Sequence, residues 1–163
     1  MINRTNTAIQ LRNKIMLSTG AALLLAASGF AQAQTTPATT YKLYVSPTGN
    51  DSASGSQTAP FRTIARAIKS LRPSTTVFVA PGTYSGGFRN TVSGTSTARI
   101  YFVSTTKWGA KIVPPANSTG DVAFDNRGSY VDIVGFQVDG SVSQSGTKWR
   151  YGIYNGGSYD SIR

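Results

Sequence analysis

Residues 124–133 (FDNRGSYVDI) and residues 153–162 (IYNGGSYDSI) share the pattern N-x-G-S-Y-x-x-I. Short β-prone pieces bounded by Gly, Pro, Asn or Ser surround this pair, and the clearest lie at residues 77–79, 100–102, 122–124 and 151–153. The first residues of these pieces follow one another at similar intervals along the sequence, and the last interval is the longest. A period of about 22 residues is too short for repeats of paired helices, whereas it suits one coil of a stack of parallel strands.

Alternation along these pieces predicts which side chains enter the core of such a stack. The inward set is Val77, Val79, Ile100, Phe102, Val122, Phe124, Val131, Ile133, Phe136 and Val138. Asn126 and Asn155 recur at the same place in the shared pattern, where stacked amides would form a ladder between coils, so we interpret them as structural. Gly135 marks a corner. The pattern therefore predicts an all-β fold, a parallel β-helix.

A helix is predicted ahead of the coils. We expect a strand at residues 41–46, a first helical position at Pro60 and an end to the pattern at Pro73. The apolar residues at helical spacing are Phe61, Ile64, Ala65, Ile68 and Leu71. This capping strand and helix, residues 41–73, would cover the first coil, and coils would fill residues 74–163. The other side of the helix, which we interpret as a solvated face, carries Arg62, Arg66, Lys69 and Arg72.

The far end of the predicted stack has no comparable cap in the sequence. Arg163 follows directly on the strand-like residues 153–162. Because an uncapped stack exposes its core, we expect an apparently truncated β-helix, the front part of a longer one, or else an end that a partner chain covers.

Residues 1–33 have the features of a secretory signal peptide. Three cations, Arg4, Arg12 and Lys14, precede the apolar residues 15–30, and a small-x-small cleavage site follows at residues 31–33. A membrane anchor is the alternative, but Ser, Thr and Gly interrupt the apolar stretch. Residues 34–40 (QTTPATT) form a polar linker. We therefore expect a secreted or periplasmic protein.

Composition limits the chemistry that the chain can perform. The 163 residues include 16 Lys and Arg against six acids, all of them Asp, which gives a net charge of +10. There is no His, Cys or Glu, so imidazole bases, Ser-His and Cys-His nucleophiles, thiolate metal sites and disulfides are excluded. The basic charge favours an acidic partner. Nucleic acid is disfavoured because the charges are dispersed and no basic helix is present.

Four segments of the sequence carry a family resemblance. They are Tyr44-Val45-Ser46-Pro47-x-Gly49-x-Asp51, Pro60-Phe61-x-Thr63-Ile64-x-x-Ala67, Val77-x-Val79-x-x-Gly82-x-Tyr84 and Val131-x-Ile133-x-Gly135-Phe136-x-Val138. Together they resemble the opening of exported right-handed parallel β-helix proteins, closest to the pectate lyases of polysaccharide lyase family 9. The resemblance covers the N-terminal part of that family only, and it is more specific for fold than for activity.

The resemblance implies calcium-dependent β-elimination of polygalacturonate, in which Asp carboxylates hold Ca²⁺ and a Lys removes the proton. No catalytic residue maps onto this chain, because the family's Asp cluster and base come from later coils. Asp125, Asp132 and Asp139 are the acids considered in the repeats, and Asp132 is expected to point outward. A Ca²⁺ site or an inverting hydrolase pair would need two of them to meet, whereas isolated surface acids are the alternative. Asp51 is interpreted as a turn residue.

Two loops place an aromatic ring beside cations, and they are the candidates for contact with a polysaccharide. The residues are Lys107, Trp108 and Lys111 in one loop and Lys148, Trp149 and Arg150 in the other. Flat rings stack on sugar faces, and Lys or Arg pair with uronate carboxylates. The alternative is that each Trp covers the flank of a coil. Two functions stay open: a lyase acting on acidic polysaccharide such as pectate, and a non-catalytic carbohydrate-binding or adhesin-like surface protein.

Overall fold

The computed structural model describes residues 40–115, 122–141 and 149–163. These contain β1 Tyr41–Val45, α1 Ile64–Ile68, β2 Thr75–Val79, β3 Gly82–Ser85, β4 Phe88–Asn90, β5 Ile100–Ser104, β6 Ala110–Val113, β7 Val122–Asn126, β8 Val131–Val134, β9 Gln137–Val138, β10 Tyr151–Asn155 and β11 Ser161–Ile162. The predicted signal peptide at residues 1–33 and nearly all of the linker lie outside the described residues. No helix in the described ranges is long and apolar enough to cross a membrane.

The strands form three sheets, and every pairing between strands is parallel. The first sheet has the order β1-β2-β5-β8-β11, the second β10-β7-β4 and the third β3-β6-β9. From β2 onward, each strand enters a different sheet from the strand before it, and the chain returns to the same sheet after every third strand. The prediction of a mainly β fold with parallel strands is therefore confirmed.

The register corrects the expected period of about 22 residues. Thr76 pairs with Tyr101, and Ile100 pairs with Val131, so the intervals in the first sheet are longer than expected and unequal. Residues 122–124, which we aligned with residues 100–102, belong to the second sheet. The error arises because the apolar pieces of different sheets look alike. The alignment of the two N-x-G-S-Y copies is correct, since Asn126 pairs with Asn155 and Ile133 with Ile162.

The three sheets enclose one apolar core. Alternate side chains of the strands are buried there, including most of the predicted inward set, while Val122 and Val138 are half-buried. Phe124 links the sheets, because its ring lies 4.7 Å from the Phe88 ring and 5.0 Å from the Phe102 ring, both edge to face. Edge-to-face pairs of this kind add to the free energy gained by burial.

A ladder of asparagine side chains connects the strands of the second sheet. Asn90 Nδ2 donates to Asn126 Oδ1 at 2.8 Å, and Asn126 Nδ2 donates to Asn155 Oδ1, also at 2.8 Å. Asn90 and Asn126 are fully buried. The predicted ladder is confirmed, and it extends one residue further towards the N-terminus than the repeated pattern indicated.

The rest of the N-x-G-S-Y pattern stacks at the corner that follows the ladder. A Cβ on Gly128 would collide with Val92 O, and one on Gly157 with Gly128 O, so the close approach of the backbones requires glycine. The Tyr130 and Tyr159 rings stack at 4.8 Å, and both residues have a positive φ, 58° and 60°. The Asn, Gly and Tyr of the pattern therefore each have a packing reason for their recurrence.

Helix α1 is shorter than predicted. The pattern from Phe61 to Leu71 indicated a helix, but Thr63 is the N-cap and the helix covers only Ile64–Ile68. Asp51 causes the late start, because its Oδ1 accepts the backbone N–H of Arg62 and of Thr63 at 2.8 and 2.9 Å. Phe61 instead lies in a bridge beside Val45, with its ring in the core. Ile64 and Ala67 are buried in the same core.

Candidate functional site

The loop between β5 and β6 displays Trp108 to solvent. Trp108 is 54% exposed and has a φ of 62°, a backbone conformation that a bulky residue rarely adopts. Its backbone N–H donates to Gly135 O at 2.7 Å, which fixes the loop to the corner between β8 and β9. Ser104 Oγ donates to Thr106 O at 2.6 Å and accepts the Ala110 N–H at 3.0 Å. The loop therefore holds Trp108 in a defined, exposed position.

Two lysines flank this tryptophan. Lys107 Nζ lies 5.4 Å from the centroid of the Trp108 ring, within the range of a cation–π contact. Lys111 is on β6, where its Nζ lies 3.7 Å from Asp139 Oδ2. Hydrogen bonds from the Ser141 side chain and backbone, helped by Lys111, lower the pKa of Asp139 below its usual value. Asp139 thus stays charged at neutral pH and offsets the charge of Lys111, whereas Lys107 lies over the ring.

In the second predicted cluster, of which the structure describes Trp149 and Arg150, the tryptophan is not exposed as Trp108 is. Trp149 packs against the core, and a Cβ on Gly86 would lie 2.5 Å from its ring. Its buried Nε1 has no hydrogen-bond partner within the described residues. Arg150 is exposed next to it, and Lys148 lies outside the described residues. The position of Trp149 fits the alternative of a ring that covers the flank of the strands.

The buried carboxylates are bound by arginines. Asp125 accepts from Arg89 Nε at 2.7 Å and from Arg127 Nε at 2.6 Å. Desolvation raises the pKa of Asp125, but the hydrogen bonds from Arg127 and Arg89 outweigh it, so the pKa lies below its usual value. Asp132 binds Arg99 through both oxygens, at 2.7 and 3.0 Å.

Asp132 corrects the expectation of an isolated surface acid. We expected it to point outward at the surface, but it is paired with Arg99 and its side chain is only 4% exposed. No group of three acidic, His or Cys side chains that could hold a metal ion occurs among the described residues. The described Asp residues therefore do not fit a calcium site, because their oxygens already bind separate basic side chains, polar side chains or backbone N–H groups.

Sequence reasoning missed two clefts beside α1. One, of about 320 Å³, lies between α1 and β3, and the other, of about 390 Å³, lies between α1 and β4. Thr63 and Ser85 line both clefts, so the two are adjacent. The only sequence signal was the run of cations on the helix, which we interpreted as a solvated face.

Comparison with known proteins points to the same fold. Residues 47–93 match a family described as a protein of unknown function (DUF1565). A solved structure of a rhamnogalacturonan lyase is similar, with a TM-score of 0.53 and 22% identity over 60% of this chain and 28% of that chain. The chain thus spans under a third of the length of that lyase. Comparison with curated proteins found no match. The likeness shows that the mainly β, parallel-stranded fold resembles that of a polysaccharide lyase.

Proposed function

We propose that the chain is an exported protein with a right-handed parallel β-helix, related to pectate lyases, which binds acidic polysaccharide. Three parallel sheets that share one core, with a chain that visits the other sheets before it returns to the same one, support the β-helix. Helix α1 would cap the second sheet, since it contacts β4, the first strand of that sheet. The matched family and the lyase of similar fold agree with this architecture.

The observation that carries the binding proposal is the exposed Trp108 beside Lys107. An aromatic face held at a fixed angle can stack on the apolar face of a sugar ring without losing further freedom. A neighbouring ammonium group can pair with a uronate carboxylate. The sugar would therefore be acidic, such as polygalacturonate, and no metal ion is needed to hold it.

The lyase activity of pectate lyases is a separate question. Calcium-dependent β-elimination needs a cluster of carboxylates and a lysine base, and the described residues supply no such cluster. We therefore propose binding, by a non-catalytic or adhesin-like surface protein, as the function of the described part of the chain. Formation of unsaturated uronate from polygalacturonate with Ca²⁺, followed by ultraviolet absorbance, would contradict the non-catalytic proposal.

Retention on immobilised polygalacturonate tests the binding proposal. Because an aromatic contact contributes about 0.5–1.5 kcal/mol, Trp108→Ala should weaken binding about two- to tenfold, and Lys107→Ala should weaken it at low salt. Lys42→Ala is the matched control, since Lys42 is an exposed lysine on β1. Equal retention of all three variants, or equal retention of the native chain on a neutral galactan, would contradict the proposal.

A further inference from the structure

The groove formed by the two clefts has a rim of cations. Arg62 lines the cleft next to β3, and Lys69 and Arg89 line the cleft next to β4. At about 320 and 390 Å³, each cleft falls at the lower end of the range of roughly 300–1,000 Å³ that small-molecule sites occupy. Ser85 supplies a hydroxyl group where the clefts meet, whereas the Thr63 hydroxyl there already donates to Asp51 and accepts from the Arg66 N–H. Phe88 supplies an apolar wall.

The four cations around α1 separate into two kinds. Arg66 donates to Asp51 O and Ser70 Oγ and lies over the Phe61 ring, so it has a structural role. Arg72 stacks on the Tyr41 ring, 3.3 Å from its centroid. Within the described ranges, the side chains of Arg62 and Lys69 make no ion pair or cation–π contact. Arg62 and Lys69, which lack such a contact, are also the two of these four cations that line the groove.

The local charge favours an anion at the β4 end of the groove. Arg89 pairs with Asp125, but Asp125 also binds Arg127, so these three residues keep a net charge of +1. Lys69 adds a second positive charge to the same cleft, whose described lining includes no carboxylate. At the other end, the Asp51 carboxylate binds the backbone beside Arg62 and offsets its charge. The attraction for an anion is therefore greatest between Lys69 and Arg89.

We propose that the cleft between α1 and β4 binds a short acidic oligosaccharide, with a uronate carboxylate between Lys69 and Arg89. The Ser85 hydroxyl would bind a sugar hydroxyl, and the wall at Phe88 would contact the apolar face of a ring. This inference rests on the proposed function and adds a second contact site, separate from the loop of Lys107 and Trp108.

Amide NMR shifts of the full ¹⁵N-labelled chain on titration with trigalacturonate test the inference. The expected result is saturable shifts at residues 63–69 and 85–89, with neutral galactotriose giving none. Lys69→Ala should weaken the apparent affinity about two- to fivefold, the effect of losing an exposed charge pair. Lys42→Ala removes the same charge from β1 and should leave the affinity unchanged.

The possible outcomes separate this inference from the proposed function. Shifts confined to residues 105–111, or an affinity unchanged by Lys69→Ala, would overturn the groove site and leave the Trp108 site standing. No shifts, together with no retention on polygalacturonate, would overturn both. A single-stranded DNA oligonucleotide that shifts the same amides with equal affinity would overturn the assignment to a sugar, because it would show a non-specific anion groove.

Discussion

Asn126 is the residue on which the stacking of the second sheet depends most. It is fully buried, accepts from Asn90, and donates to Gly128 O at 2.9 Å and to Asn155 Oδ1. Its Nδ2 also lies 3.1 Å from Asp160 Oδ2. A side chain that satisfies groups in three successive strands and a corner cannot be replaced without leaving some of them unpaired.

Asn126→Ala should therefore lower the free energy of unfolding by about 3 kcal/mol, because buried partners lose their hydrogen bonds at about 1–3 kcal/mol each. Asn155→Ala is the matched comparison: Asn155 is exposed, so water can replace its contact, and the loss should be about 1 kcal/mol or less. Urea unfolding measures both values. Equal losses of unfolding free energy in the two variants would show that burial does not increase the contribution of the ladder to stability.

Gly86 and Trp149 are coupled by packing. A Cβ at Gly86 would lie 2.5 Å from the Trp149 ring and 2.8 Å from Ile112 Cγ2. Gly86→Ala should therefore destabilise the fold by about 1–3 kcal/mol, the usual cost of overpacking. Gly140→Ala is the control, since nothing lies within 4 Å of that position.

The Trp149→Phe variant tests whether the tryptophan ring causes this cost. The smaller ring should reduce the effect of Gly86→Ala, which a double-mutant cycle detects as a coupling energy. Additive effects would mean that Trp149 does not occupy the space beside Gly86.

At the scale of elements, Asp51 determines where α1 begins. Its Oδ2 accepts from Thr63 Oγ1 at 2.8 Å, and its Oδ1 accepts two backbone N–H groups. Desolvation raises the pKa of Asp51, but the hydrogen bonds from Thr63 and Arg62 together lower it by a larger amount. The pKa therefore lies below its ordinary value. Asp51 lies far from Thr63 along the chain, so no short sequence pattern indicates that the two residues are in contact. For this reason the start of the helix was predicted too early.

Asp51 should make stability depend on pH. The pKa of Asp51 is lower in the folded state than the unfolded value of about 3.9. Its contribution to the free energy of unfolding is therefore present above about pH 4 and is lost as the pH falls through the folded pKa. Asp51→Asn should be less stable at pH 7 and should lose less stability between pH 7 and pH 3 than the native chain.

Urea unfolding at the two pH values measures the difference. Asp139→Asn serves for comparison: the pKa of Asp139 is also lowered, but by the nearby Ser141 and Lys111 and without a contact to the start of α1 within the described residues. A native-like acid dependence in Asp51→Asn would contradict the assigned role.

The strands could be predicted from the sequence, but the sheet to which each strand belongs could not. Alternation correctly placed Val77, Phe102 and Ile133 in the core. Burial alone does not say which of three sheets a strand joins, so residues 100–102 and 122–124 were placed in one series. Asn90 was missed for the same reason, since its interval to Asn126 is longer than the interval between the two visible copies of the pattern. The position of Trp108 in an exposed loop was predictable from the sequence, but the groove needed the fold that brings α1 to β4.

For the whole molecule, exposed apolar side chains collect on β10 and β11 and the corner between them. Tyr151, Tyr154, Tyr159 and Ile162 are 36–72% exposed, and both strands lie at the edges of their sheets within the described residues. Exposed edges that carry apolar side chains favour pairing between chains. Sedimentation velocity should therefore detect association that increases with concentration.

Ile162→Lys should reduce this association, because a charge on an edge strand opposes pairing. Ser96→Lys adds the same charge at an exposed turn and should have no such effect. Equal association of both variants and the native chain would place the contact elsewhere.

Parallel stacking of successive turns is the central claim, and interstrand NOEs of the labelled chain test it most directly. The account predicts backbone NOEs that join Thr76 to Tyr101 and Tyr101 to Asp132, together with side-chain amide NOEs that join Asn126 to Asn90 and Asn155. Short Hα–Hα contacts between consecutive strands, as antiparallel hairpins produce, would contradict it.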